Sequence, residues 1–213
     1  LHKTKRSRVK RLHERGSYDR NQVNEIIDAT PICHVAYVID GSPHVTPTLQ
    51  WREGDRIFWH GSSASRFLRK VVGQPVSLAV THFDGFVLAR SAFHHSANYR
   101  SVVLFGEASI VGDELKVAAL KVFLDGLFPG RWDMLRPINA QEIKATTILS
   151  MSINEGSAKV RVGQPIDDDE DYGLPIWAGV IPTRLHRLDP VSDPRNLDQV
   201  ATPDHVMEFA KKR

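Results

Sequence analysis

The stretch from Ile32 to His60 most limits what this chain can fold into. Residues 32–39, ICHVAYVI, are rich in β-formers, and Asp40-Gly41 after them is a strong two-residue hairpin signal. A return strand covers about Pro43 to Trp51. Glu53-Gly54-Asp55 makes a second turn, and RIFWH, Arg56 to His60, makes a third strand. Three strands joined by tight turns form an antiparallel meander. A doubly wound parallel sheet needs long crossovers that these turns do not supply.

The rest of the chain can be laid around that meander. Asp19 can cap a helix over about 20–29 that places Val23, Ile26 and Ile27 on one face and stops at Thr30-Pro31. Ala64 to Gly73 is helical, with Phe67, Leu68, Val71 and Val72 on its apolar face. Pro75–His82 and Phe86–Arg90 read as two strands, and Tyr99–Val111 as one long strand in which Gly106 marks a bulge or bend. Helical spacing returns over Glu114–Leu127, with a short helix near Ala140–Lys144 and a terminal one over Pro203–Lys212. Further strands fall at 146–153 and 158–162, and 176–188 is extended with a break at Pro182. The expected fold is mainly β: an antiparallel, six-stranded barrel with flanking helices. Residues 19–213 form its single domain, behind a basic arm over 1–18.

The formal net charge is only +3, and the cations crowd that arm: Lys3, Lys5, Arg6, Arg8, Lys10, Arg11 and Arg15. A solvated, extended arm is the plain reading. Nucleic-acid contact is the weaker one, because no stacking aromatics are interleaved. Cys33 is the only cysteine, so no intrachain disulfide forms, and its apolar neighbours suit an inert thiol. No apolar run reaches membrane-spanning length, and the basic start is not followed by an apolar signal segment, so cytoplasmic is the default expectation.

Chemistry concentrates in His60-Gly61-Ser62-Ser63-Ala64-Ser65-Arg66, where a strand passes into a helix. Ser62, Ser63 and Ser65 bring hydroxyls, Gly61 allows close approach of the backbone, and the helix start brings unpaired N–H groups. Arg66 lies in the first turn, with Lys70 one turn on. This set suits a phosphate. The alternative is that Ser63 caps the helix and Arg66 is solvated. There is no triphosphate-loop signature and no GxGxxG after a strand.

The order of VTPT, FWHGSSASR, NYRSVVLFG and WAGVIP resembles the FMN-binding split-barrel flavoproteins. More narrowly, it is similar to the group related to pyridoxamine 5′-phosphate oxidase that includes nitroimidazole-resistance-type proteins. The resemblance covers about residues 18–190. It implies an FMN cofactor whose ring faces Pro47, Thr48 and Leu49 and whose phosphate is held by His60, Gly61, Ser62, Ser63, Ser65 and Arg66. Tyr99, Arg100 and Ser101 would lie beside the flavin, often across a dimer interface. Trp177, with Gly179 and Val180, would close over the ring. It further implies a homodimer with two shared sites and an oxidoreductase role. Electrons would pass between a donor such as NAD(P)H and an unidentified small organic substrate. The alternative is a non-catalytic flavin- or haem-binding or sensing protein on the same barrel.

Trp59 and Trp177 offer aromatic cover for such a ring, or are ordinary core. His94, His95 and Tyr99 are the candidates for moving a proton, with no catalytic residue assigned. Adjacent His94 and His95 cannot share a metal, and His34 and His44, on facing hairpin strands, can pair across them. No metal is expected. Arg184-Leu185-His186 looks like the Arg-x-His of pyridoxamine 5′-phosphate oxidases proper, but it follows the tryptophan segment instead of preceding it, so pyridoxamine oxidation is in doubt. Asp167–Asp171 reads as an acidic surface loop without calcium-loop spacing.

Overall fold

The computed structural model describes residues 1–211, so Lys212, where the expected terminal helix ends, lies outside the described residues. The chain divides into two compact units. The first comprises 1–111 and 146–184, and the second 112–145 and 185–211.

The first unit is the β unit. Its strands are β1 (Gly16–Ser17), β2 (Ile32–Ile39), β3 (Ser42–Glu53), β4 (Arg56–Ser62), β5 (Pro75–Leu88), β6 (Ser96–Glu107), β7 (Ser109–Ile110), β8 (Thr146–Ser152), β9 (Glu155–Arg161) and β10 (Gly179–Pro182). Its helices are α1 (Arg20–Asp28) and α2 (Arg66–Val71). The sheet runs β1-β9-β6-β5-β2-β3-β4-β8-β7, with β10 on β5, and its named strand pairs are antiparallel. This is an open, split barrel. It has ten strands among the described residues where six were expected: β1 and β7 are two-residue pieces, and β10 is the short paired part of the segment expected to be extended over 176–188.

The turns form as their chemistry dictates. Asp40 and Gly41 take φ of 50° and 76°, and Gly54 takes 55°. The Asp19 carboxylate accepts from Gln22 N at 2.9 Å and caps α1, which buries Val23, Ile26 and Ile27. Those three join a core that contains Cys33, Val35, Ile57, Trp59, Leu78, Leu104, Leu149 and Met151.

Two expectations change. The two strands drawn from 75 to 90 are one, β5, and the apparent break is a bulge between Phe83 and Gly85. Gly85 sits at φ 151°, and a Cβ there would lie 2.6 Å from the Ile181 carbonyl oxygen, so the glycine admits β10. Gly106 is no bulge, since it pairs in register with Val76; a Cβ there would lie 2.5 Å from Met151 Cγ, so its absence lets the core close.

The backbone of the basic arm is folded down, while Lys3, Lys5, Arg6, Arg8, Lys10 and Arg11 stay exposed. Arg6 forks onto the Glu155 carboxylate at 2.8 and 2.6 Å and lies over the Phe105 ring. Val9 N donates to the Tyr18 hydroxyl at 2.9 Å, and Ser7 is buried. Asp167 likewise leaves the expected surface loop. Its side chain is fully buried and takes Arg90 N at 2.9 Å and Arg90 Nη1 at 3.0 Å.

The second unit is helical: α3 (Asp113–Leu127), α4 (Ala140–Ala145) and α5 (Asp204–Lys211). Asn139 and Glu142 exchange backbone N–H groups for side-chain oxygens at 3.0 and 2.9 Å, a reciprocal cap that starts α4. Phe209 of α5 packs on Phe128 at 4.6 Å, with the Arg187 guanidinium 4.2 Å over its ring.

Candidate functional site

The β-sheet splits at one rung. β3 pairs with β2 from Ser42 to Leu49 and with β4 from Gln50 to Glu53. Gln50↔Trp59 is the last rung shared by β3 and β4. Beyond it β4 continues along β8 alone, through His60↔Ile148, Gly61↔Thr147 and Ser62↔Thr146. Leu49, Thr48 and Pro47 on β3 and His60, Gly61 and Ser62 on β4 therefore diverge around a wedge. The sequence-predicted ring-facing residues and phosphate loop are its two walls.

Ladder alternation says which main-chain groups line it. Both turns hold two residues, closing at Ile39↔Ser42 and Glu53↔Arg56. Peptide groups then face alternate sides along each strand. The main chain of Thr48 faces Cys33 on β2, while Pro47 and Leu49 turn theirs to the wedge. On β4, His60 and Ser62 turn inward and Gly61 turns to β8. An edge of this kind suits the hydrogen-bonding rim of a planar heterocycle, which needs donors and acceptors in a row.

α2 bridges the wedge to the β2–β3 hairpin. Ser65 caps it, its hydroxyl accepting from Leu68 N at 3.4 Å, where the alternative reading of the loop had Ser63 as the cap. The Ser62 hydroxyl accepts from Ala64 N at 3.2 Å. The Phe67 ring stacks on Tyr37 at 4.7 Å, and Tyr37 on His44 at 5.4 Å. Gly61 serves this packing, since a Cβ there would lie 3.0 Å from Leu68 Cδ1. Arg66 is 65% exposed and meets the Asp40 carboxylate at 3.3 Å. His60 is half-buried with its ring edge-on to Trp51, and burial lowers its pKa below the ordinary 6.5. Its imidazole is therefore neutral at pH 7.

Other candidates stand elsewhere. Trp59 is fully buried in the core, so the expectation that it covers a ring is corrected: its side chain is turned to the barrel interior. Tyr99, Arg100 and Ser101 lie on β6, which β5 and β2 separate from β3. Three strand spacings place them roughly 14 Å from the wedge wall within one chain. Arg100 is also committed: it forks onto Asp84 at 2.8 and 2.8 Å, which raises its own pKa and lowers that of the carboxylate. The Ser101 hydroxyl donates to Lys159 O at 3.3 Å, and Tyr99 is half-buried opposite Phe83.

Trp177 is 67% exposed, just before β10, with its ring over Gly179. Val180 pairs with Val87 on β5. His94 Nε2 meets Asp168 at 3.3 Å, while His95 Nδ1 meets Ser91 O at 2.8 Å, so the two rings serve separate partners. His34 and His44 do not pair, because the register sets His34 against Pro47 and His44 against Tyr37. Cys33 is fully buried, and desolvation pushes its thiol up to about 12. No cluster of three metal-ligating side chains occurs among the described residues. None of their helices is long and apolar enough to cross a membrane.

No motif marks Asp40 as the partner of Arg66, or points to the Asp84–Arg100 fork or the Asp167–Arg90 clasp. Each joins residues far apart in the chain, and only the register brings them together.

An open antiparallel sheet that parts at Gln50 and Trp59 defines the split-barrel class. The family model described as pyridoxamine 5′-phosphate oxidase matches residues 19–160, and the chain belongs to that family. The flavocytochrome Anf3 from Azotobacter vinelandii is 49% identical over 97% of both chains, with a TM-score of 0.94. An FAD- and haem-binding protein from Mycobacterium smegmatis is 35% identical over 92% of this chain and 97% of its own, with a TM-score of 0.88. A Bacteroides thetaiotaomicron protein named for 5-nitroimidazole antibiotic resistance is 17% identical over 68% of this chain and 86% of its own. Its TM-score of 0.56 is a likeness of fold alone. A search of curated protein sequences returned no match.

His60 links the wedge to pH. Its folded pKa lies below the unfolded value of 6.5, so the unfolded chain binds the extra proton first. The stabilisation held by the neutral ring is complete above pH 6.5 and declines as pH falls below it. Melting temperatures of wild type and His60→Gln, followed from pH 8 to pH 5, should show a decline below pH 6.5 that is shallower in the variant; parallel curves would count against this assignment.

Proposed function

We propose that this chain is a homodimeric flavin-binding redox protein that also carries haem. The observation that carries the reading is the 49% identity, over nearly the whole of both chains, to a flavocytochrome. The open wedge supports it from the chain's own side. Pro47, Leu49, His60 and Ser62 present main-chain groups to a ring edge, and Ser63, Ser65 and Arg66 stand where its phosphate would lie. A bound flavin would supply hydride or single-electron transfer. The residues of the wedge bind, orient and shield; none of them is placed to act as an acid or base.

The flavin was expected to be FMN. The Mycobacterium smegmatis relative is named for FAD, and chromatography of the flavin released by denaturation separates the two. Purified protein should be yellow, bleached by NADH or NADPH if a nicotinamide is the donor. Arg66→Ala should weaken flavin binding by about 1.5–3 kcal/mol, the scale for losing a hydrogen bond to a charged group. Unchanged affinity would move the phosphate elsewhere.

The residues also fit haem. Ser91 O can only accept, so His95 Nδ1 carries the proton and Nε2 keeps its lone pair on an exposed ring. A histidine held by its other nitrogen in this way is suited to metal ligation. Phe93, Phe86 and Trp177 expose apolar surface at the same end of β5. His95→Ala should lose the Soret band of haem-loaded protein while flavin content is kept. A retained band would exclude His95 as the ligand.

The homodimer rests on the outer face of β2 and β3. Ile32↔Leu49, His34↔Pro47, Ala36↔Val45 and Val38↔Pro43 form four rungs of a nearly wholly apolar surface. Ile32, Val38, Val45 and Leu49 on it are exposed. Wild type should sediment as a dimer and Val45→Glu as a monomer; a monomeric wild type would remove this reading.

A further inference from the structure

The folded arm builds a second charged site in the β unit. Lys3, Thr4, Lys5, Arg8 and Lys10 line a hollow of about 450 Å³. That is within the size range of small-ligand sites. The fold fixes its walls: Arg6 is clamped to Glu155, Ser7 is buried, Val9 N is held by the Tyr18 hydroxyl, and Lys3 lies 5.1 Å over the Tyr18 ring.

Its charge is uncompensated. Of the arm's cations, Arg6 pairs with Glu155 and Arg15 with Glu14. Lys3, Lys5, Arg8 and Lys10 form no ion pair among the described residues. Glu155, which lines the neighbouring hollow with Thr4, Lys5, Arg6 and Lys10, already accepts from Arg6 and from the Thr4 hydroxyl. Four like charges drawn around one concavity repel one another, and that repulsion is relieved when a compact anion enters.

We infer that this hollow binds a small anion bearing two or more phosphates. A single carboxylate neutralises too little of the charge. A nucleic-acid strand is favoured by a long basic track with stacking rings, and the hollow is short with no ring among its lining residues. Lys5, Arg8 and Lys10 would hold phosphate oxygens from three sides. The inference does not depend on the flavin reading, because the hollow and the wedge share no residue.

Calorimetric titration of the full chain with inorganic pyrophosphate tests it. Pyrophosphate should bind more tightly than orthophosphate and more weakly as salt rises. Lys5→Gln/Lys10→Gln should lose affinity about tenfold or more. Arg8→Gln gives a second reading should the double variant fold poorly. Arg195→Ala, an exposed cation that belongs to neither the hollow nor the wedge, should leave pyrophosphate binding unchanged. Absence of binding, unaltered affinity in both hollow variants, or an equal loss in Arg195→Ala would overturn the proposal. So would tighter binding of a short DNA duplex that the hollow variants abolish, since it would assign the hollow to nucleic acid.

Discussion

Gln50 fixes where the barrel splits. It is buried, and its Nε2 donates to the carbonyls of Ile27 and Thr30 at 2.9 and 2.6 Å. Its backbone N–H donates to Pro31 O at 2.7 Å. Three hydrogen bonds thus tie one residue of β3 to the end of α1 and the entry to β2. A buried amide left without partners costs on the order of 1–3 kcal/mol, so the tie is strongly specified. Pro31 has no N–H to return, and the β2–β3 ladder stops one residue away at Ile32↔Leu49. Past that point β3 belongs to β4. The wedge follows from where these two ladders change over, and so do the main-chain edges it exposes.

Because the site is made largely of backbone, side-chain motifs report it weakly. The strand, turn and cap signals were legible: Asp40-Gly41, Gly54 and Asp19 each act through a local rule that needs no tertiary context. The wedge walls were legible through the resemblance, which put Pro47–Leu49 and His60–Arg66 on neighbouring strands. Trp59 was misread because a tryptophan next to a site loop looks the same in sequence whether it faces in or out. Alternation decides, and Trp59 shares its inward face with Ile57. The path of the arm was hidden for a different reason. Seven cations in fifteen residues suggest solvation, which six of them keep, and only Glu155, Tyr18 and Phe105 show why its backbone folds down.

The same distinction separates the two arginines proposed to touch a flavin. Both already meet a carboxylate, so the question is which can leave. Arg66 makes one 3.3 Å contact with Asp40, with both side chains mostly in water. Such a pair is worth about 0–1 kcal/mol, and a phosphate at the helix start can displace it. Arg100 makes two 2.8 Å bonds to Asp84 in planar, forked geometry, at a partly buried position. To free it would leave the Asp84 carboxylate without its partner and break two charge-assisted bonds at once. Arg66 is therefore the cation available to an incoming anion. Arg100 serves as a brace that fixes β5 to β6 beside the Phe83–Gly85 bulge, and a partner copy would meet that brace already closed.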